Sequence, residues 1–272
     1  MDKIIKEALA EDIGTGDITT KLLVPPGRVK AVILAKENGI FCGERVARQI
    51  FGAYKINSRF LARDGRAIKK GQVIAEVSGD ARNILTIERT VLNFLQRLSG
   101  IATLTSDFAQ AVKPYKAKVL DTRKTIPGLR LLEKYAVACG GGFNHRIGLY
   151  DMILVKDNHL KLVGGWSLMV RSLKQKPKNM KVEIEAENLM QVKEIVNARV
   201  ADIILLDNMS IPTLKKAIKY IRQASPRTLI EISGRVNLRN VKQYAKLGVD
   251  RISIGALTHS AKALDISLEI IQ

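Results

Sequence analysis

The sequence predicts an α/β protein of two regions, the second an incomplete parallel barrel of about six to seven strands. Three observations predict it. Beyond residue 112 short apolar runs alternate with longer helical patterns, the signature of parallel strands joined by helices. Those runs are too few for an eight-stranded barrel. Each run ends at a charged, small or glycine position, as the strands of a parallel barrel do around its mouth.

The first region, residues 1–112, has another rhythm. Residues 1–12 carry Ile4, Ile5, Ala8 and Leu9 at helical spacing, broken by acids. Gly14-Thr15-Gly16-Asp17 and Pro25-Pro26-Gly27 read as turns. Val29 to Ala35 reads as a strand and Gly43 to Phe51 as a helix. Asp64-Gly65 and Lys70-Gly71 are turn pairs around short strands, Val73 to Val77 being the clearest. From Ile84 to Ala111, Leu85, Val91, Leu92, Leu95 and Leu98 follow helical spacing, with an expected break at Ser99-Gly100. Pro114 marks the boundary.

In the second region, 113–272, the predicted strands are Lys118–Leu120, Met152–Val155, Val182–Ile184, Ile203–Leu206, Leu229–Ile232 and Ile252–Ile254. Helical patterns fill 189–196, 211–221 and 238–247, and a last helix is expected to pack back on the first domain. After the first strand come Asp121, Arg123 and Lys124; after the second, Lys156. Glu185 ends the third and Asp207 the fourth; Ser233-Gly234 and Gly255 follow the last two. One mouth therefore gathers bases, two acids and two small-residue turns.

Lys and Arg number 45 against 26 Asp and Glu, a formal net charge of +19, which raises the local potential for any anion. The charges scatter along the chain, but one stretch gathers the candidate ligand-binding cations. Asp121 to His159 holds Arg123, Lys124, Arg130, His145, Arg146, Lys156 and His159 around the Gly140-Gly141-Gly142 run. Cations gathered around glycines suit a ligand with several negative charges. Nucleic acid is a poor alternative partner: aromatics are 5% of residues and no recognised binding motif is present. Two distant cysteines, Cys42 and Cys139, without metal-ligand spacing, argue against a disulfide framework and for a cytoplasmic protein. The N-terminal pattern is no signal peptide, and no apolar run approaches the roughly 20 residues that span a membrane, so no membrane partner is expected.

Glu185 and Asp207 are hard oxygen donors on neighbouring units, the kind Mg²⁺ prefers alongside phosphate and water; each could instead cap the helix that follows. Ser233-Gly234 and Gly255-Ala256 are turns at which backbone N–H groups can receive a phosphate. Arg123, Arg146 and Arg89 carry forks that match carboxylates, although Arg89 could be an ordinary exposed helix residue. His145, beside Arg146, could donate a hydrogen bond or handle a proton.

Long motifs place these residues in a known pattern. They are Glu11 to Thr19; Glu88-Arg89-Thr90 with Leu98 to Thr103; Asp121-Thr122-Arg123-Lys124-Thr125; Asn144 to Asp151; Lys156-Asp157-Asn158-His159; Leu206-Asp207-Asn208-Met209; and Gly255 to Ser260. In order and over nearly the whole chain they resemble the quinolinate phosphoribosyltransferases, the carboxylating nicotinate-nucleotide pyrophosphorylases of NAD biosynthesis. The resemblance implies an N-terminal α/β sandwich domain before the barrel. It implies transfer of phosphoribose from phosphoribosyl pyrophosphate to quinolinate with Mg²⁺, giving nicotinate mononucleotide, pyrophosphate and CO₂. It implies a homodimer in which Arg89 serves the partner's site. Arg123, His145, Arg146 and Lys156 would surround the quinolinate carboxylates, and Lys124 and Lys156 the sugar phosphate. Glu185 and Asp207 would hold the ribose hydroxyls and the metal, partly through substrate and water, and act with Lys124 and Lys156 as the catalytic set. Ser233-Gly234 and the turn from Ser253 through Gly255 to Ala256 would bind the 5′-phosphate. One departure stands out: many relatives read Ser-Gly-Gly where this chain has Ser233-Gly234-Arg235.

Overall fold

The computed structural model describes residues 2–271. The chain forms two compact units. The first comprises residues up to Ser106, Thr125–Gly141 and Leu257 onward. It opens with α1 (Lys3–Ile13) and α2 (Ile18–Leu23), followed by β1 (Arg28–Ala35), β2 (Gly39–Ile40), α3 (Glu44–Ala53), β3 (Asn57–Phe60), β4 (Ala67–Ile68), β5 (Val73–Asp80) and α4 (Ala81–Val112). Asp17 starts α2 by accepting the Thr20 N–H at 2.9 Å, satisfying one of the donors that a helix start leaves unpaired.

Alternation along β1 buries Ala31, Ile33 and Ala35 on one face, and β5 adds Val77 and Ala75, paired with Ala31 and Ile33. Ile84, Ile87, Val91 and Leu95 of α4 are also fully buried, one stripe at helical spacing. α4 runs without the break expected at Ser99-Gly100. Gly100 serves close approach instead: a Cβ there would lie 2.0 Å from the Lys262 carbonyl oxygen.

The second unit comprises Asp107–Lys124 and Gly142–Ala256. β6 (Lys118–Leu120) opens its sheet, and the chain then supplies α5 (Arg130–Cys139) to the first unit. β7 (Ile153–Val155), α6 (Asp157–Val163), α7 (Trp166–Lys174), β8 (Val182–Ala186), α8 (Leu189–Ala198), β9 (Ile203–Asp207), α9 (Ile211–Ala224), β10 (Leu229–Ser233), α10 (Val241–Ala245) and β11 (Arg251–Ser253) follow. The sheet is six-stranded and parallel, in the order β6-β11-β10-β9-β8-β7. Its two edges are drawn towards each other by one loop. Phe143 bridges Leu120 of β6, while Arg146 Nη1 donates to the Met152 carbonyl, 3.1 Å away, just before β7. The result is an incomplete α/β barrel.

The chain ends with α11 (Ala256–His259) and β12 (Ile266–Ile271). The last element expected was a helix; it is a strand, antiparallel to β1 at the edge of the first unit's four-stranded sheet.

Candidate active site

Paired residues in a parallel sheet share a face, and the register fixes which side chains line the barrel interior. Glu185 pairs with Leu205, Leu205 with Glu231, and Glu231 with Arg251. Two residues on, Asp207 pairs with Ser233 on the same face. Val155 pairs with Ile184, so Lys156 falls level with Glu185, and its Nζ lies 3.7 Å from Glu185 Oε2. His159 Nδ1 accepts the Lys156 N–H at 2.9 Å, tying that backbone to the first turn of α6.

The residues predicted at strand ends stand at or just beyond the C-terminal ends of the strands of this one parallel sheet. Arg123 and Lys124 are exposed just beyond β6, and Thr122 Oγ1 accepts the Lys124 N–H at 3.0 Å. Arg146 is half-buried; burial, then the like charge of Arg123, holds its guanidinium below the usual arginine range. Burial raises the carboxyl of Glu185; Lys156 opposes that rise and Asp207 adds to it. Glu185 and Asp207 are hard oxygen donors of the kind that could hold a divalent ion such as Mg²⁺. Ser253 and Ile254 are buried beneath the Gly255-Ala256 turn.

Gly234 has φ +97°, and a Cβ there would lie 2.2 Å from Asn208 Oδ1 and 2.9 Å from Asn208 N. Only glycine fits between the ends of β9 and β10. Arg235 also holds a positive φ, 50°, which explains physically why glycine suits that position. Arg89 is exposed on α4 in the first unit.

His145 occupies a different setting from the exposed cations. Its side chain is 7% exposed, and its Nε2 lies 3.0 Å from Glu183 Oε2 and 3.3 Å from Glu231 Oε1. Burial alone would keep the ring neutral, but the adjoining Glu183 and Glu231 outweigh it and raise the pKa to about 9. A hydrogen bond from Arg146 N–H to Nδ1, 2.8 Å, pulls the other way, because a protonated Nδ1 could not accept it. Asp121, fully buried, accepts the His145 N–H at 2.9 Å.

Glu183, Glu231, Arg251 and Asp121 were not singled out as site residues in the sequence, Asp121 having entered only as a strand-end position. The available signal was parity: Val182-Glu183-Ile184-Glu185 and Ile230-Glu231-Ile232 place acids at inward positions between outward apolar ones.

An incomplete parallel barrel, with cations and paired carboxylates at its strand ends, defines a barrel enzyme for polyanionic substrates. Family models named quinolinate phosphoribosyl transferase match this chain, the N-terminal domain over residues 17–99 and the C-terminal domain over 101–269. The chain belongs to the quinolinate phosphoribosyltransferase family. It is 45% identical over 290 residues to the chloroplastic nicotinate-nucleotide pyrophosphorylase [carboxylating] of Arabidopsis thaliana, covering 98% of this chain and 82% of that one. It is 42% identical to quinolinate phosphoribosyltransferase [decarboxylating] 2b, mitochondrial, of Nicotiana tabacum, covering 99% and 82%. The solved nicotinate-nucleotide pyrophosphorylase of Ehrlichia chaffeensis superposes with a TM-score of 0.95 at 40% identity, covering 99% of this chain and 98% of that one. Among the described residues no helix is long and apolar enough to cross a membrane.

Proposed function

We propose that this barrel mouth joins quinolinate to the phosphoribosyl group of phosphoribosyl pyrophosphate, releasing pyrophosphate and then CO₂ to leave nicotinate mononucleotide. The observation that carries the reading is the set of Arg123, Lys124, Arg146 and Lys156 together with Glu185 and Asp207, in a chain of this family. Quinolinate carries two carboxylates and its co-substrate a phosphate and a pyrophosphate, so the pocket must be strongly cationic. Arg123 and Arg146 take the carboxylates, with His145 beside them, while Lys124 and Lys156 reach the sugar phosphate. The turns at Ser233-Gly234 and Ser253 to Ala256 receive the 5′-phosphate through backbone N–H groups.

As the C1′–oxygen bond to pyrophosphate breaks, positive charge develops on the ribose. Glu185 and Asp207 carry the sign that stabilises it. The pyridine nitrogen forms the new bond to C1′ and becomes cationic. When the adjacent carboxylate departs as CO₂, its bonding pair stays on the ring carbon, where the neighbouring nitrogen cation stabilises it until a proton from water is taken up, so no lysine Schiff base is needed. Glu185 and Asp207 would also hold Mg²⁺, partly through substrate and water; when bound, the ion neutralises charge on the leaving pyrophosphate.

The working form is a cytoplasmic homodimer in which Arg89 of one subunit completes the mouth of the other. Arg89→Ala and Glu185→Ala each inactivate the enzyme on this reading. Mixing the two after subunit exchange restores about a quarter of wild-type activity, because half the dimers carry one intact site. Nicotinate mononucleotide formation is followed by absorbance. No recovery on mixing refutes the shared site, and no product from folded wild-type protein with quinolinate and Mg²⁺ refutes the reaction.

A further inference from the structure

Glu183 and Glu231 are fully buried on the inner face of the barrel, where bulky branched side chains usually pack. Taking each carboxylate out of water costs several kcal/mol, and an apolar residue of similar volume is often as stable or more so. Among the described residues, Glu183 has no hydrogen-bonding neighbour other than the His145 ring, whose Nε2 lies 3.0 Å from its Oε2. Arg251 Nε lies 3.0 Å from Glu231 Oε2 as an ion pair, without hydrogen-bond alignment, and Ser253 Oγ donates to Oε1. Local packing therefore offers Glu183 no partner but that ring, whereas Glu231 also meets Arg251 and Ser253. Both acids converge on a single group, the His145 ring, from β8 and β10.

His145 passes that constraint to the mouth. Its Nδ1 accepts the Arg146 N–H, and Arg146 Nη1 reaches the Met152 carbonyl before β7. The loop carrying both residues bridges the open edges of the barrel, between Phe143 beside β6 and Met152 before β7. A loop in that position needs an internal anchor if its arginine is to meet a planar carboxylate within hydrogen-bonding tolerance.

We propose that Glu183 and Glu231 are positioning residues for quinolinate: they hold the His145 ring from inside the barrel and thereby fix where Arg146 meets the substrate. This inference rests on the reading of Arg146 as a quinolinate-binding cation. Neither acid touches substrate. They act through His145.

The test is a double-mutant cycle with Glu183→Gln and His145→Asn, reading the KM for each substrate and kcat separately. Glu183→Gln keeps the side chain's shape and removes its charge. It should raise the KM for quinolinate by about tenfold to a hundredfold, the scale of a misplaced binding group. The KM for phosphoribosyl pyrophosphate should stay within about twofold. Because the acid acts through the ring, adding Glu183→Gln to His145→Asn should change the quinolinate KM no further; additive effects would overturn the proposal. So would equal rises in both KM values. If Glu183→Gln does not fold, Glu231→Gln takes its place in the cycle under the same criteria. Arg146→Ala separates the two levels of inference. If Arg146→Ala leaves the quinolinate KM at wild type, the binding-site reading itself fails; if it raises that KM and the glutamate variants do not, only the positioning inference fails.

Discussion

At the residue scale, the sharpest contrast is between Glu185 and Glu183, two positions apart on β8 and facing the same way. Glu185 sits at the mouth beside Lys156, whereas Glu183 lies one layer deeper against His145. Their substitutions should separate accordingly. On the proposed role of Glu185 at the ribose, Glu185→Ala removes a preorganised charge and should lower kcat by about 10²–10³-fold; steady-state turnover near wild type would remove Glu185 from the chemistry. Arg235 invites the opposite kind of change. It holds φ 50° at an exposed turn, and its carbonyl accepts from Asn240 Nδ2 at 3.0 Å and Asn237 Nδ2 at 3.4 Å. A non-glycine residue pays about 1–2 kcal/mol for that backbone, and glycine's extra freedom when unfolded returns about 0.4–1 of it. Arg235→Gly should therefore stabilise the protein by up to about 1 kcal/mol in urea denaturation. A loss of stability would mean that the arginine side chain makes a contact stronger than the backbone strain.

At the element scale, two sites show what joins the pieces. Asp250, just before β11, accepts from Arg222 of α9 at 2.7 Å and from the Ile230 N–H of β10 at 2.9 Å, with Lys116 Nζ 2.6 Å away. Burial raises its carboxyl, but Lys116, Arg222 and the Ile230 N–H outweigh that and hold it below the usual aspartate range. A depressed folded-state pKa stabilises above the unfolded value and is lost as pH falls through the folded one. Asp250→Asn should thus cost about 1–3 kcal/mol near neutral pH, and the gap from wild type should narrow towards about pH 3. An equal gap at both values would reject the charge account. In α4, Gly100→Ala gains about 1 kcal/mol of helix propensity but drives a methyl into the Lys262 carbonyl, an overpacking cost of about 1–3 kcal/mol or more at this separation. The collision wins, so thermal unfolding should shift downward. That same glycine explains one misreading: from sequence Ser99-Gly100 looks like a helix break, because a close approach to residue 262 leaves no local trace. The six strands of the barrel were legible to within a residue or two, since each is a short apolar run with a polar stop. β12 was not read as a strand, although Ile266, Leu268 and Ile270 alternate, because its partner β1 lies more than two hundred residues earlier. Residues at the strand ends could likewise be named in advance, whereas the Glu183–His145–Glu231 contact could not. It depends on which face each strand turns inward, and on a loop that returns across the sheet.

At the scale of the whole molecule, the formal charge of +19 should be visible in how the enzyme meets its substrates. Both are polyanions, and the exposed Arg123, Lys124 and Lys156 belong to the proposed binding site. Attraction between exposed charges is screened over a Debye length of about 10 Å at 0.1 M salt. Raising sodium chloride from about 0.05 to about 0.2 M should therefore increase both KM values severalfold. It should leave kcat within about twofold, because Glu185 is largely shielded from mobile ions and acts at short range once substrate is bound. Substituting scattered lysines away from the mouth tests whether the field is global or local. Replacing Lys174, Lys176 and Lys178 with glutamine removes three charges from the end of α7 and the loop after it. A field built by the whole surface predicts a higher KM and a shallower salt dependence in that variant. A field set by the mouth alone predicts no change in either, and then the positive excess elsewhere has no part in substrate capture.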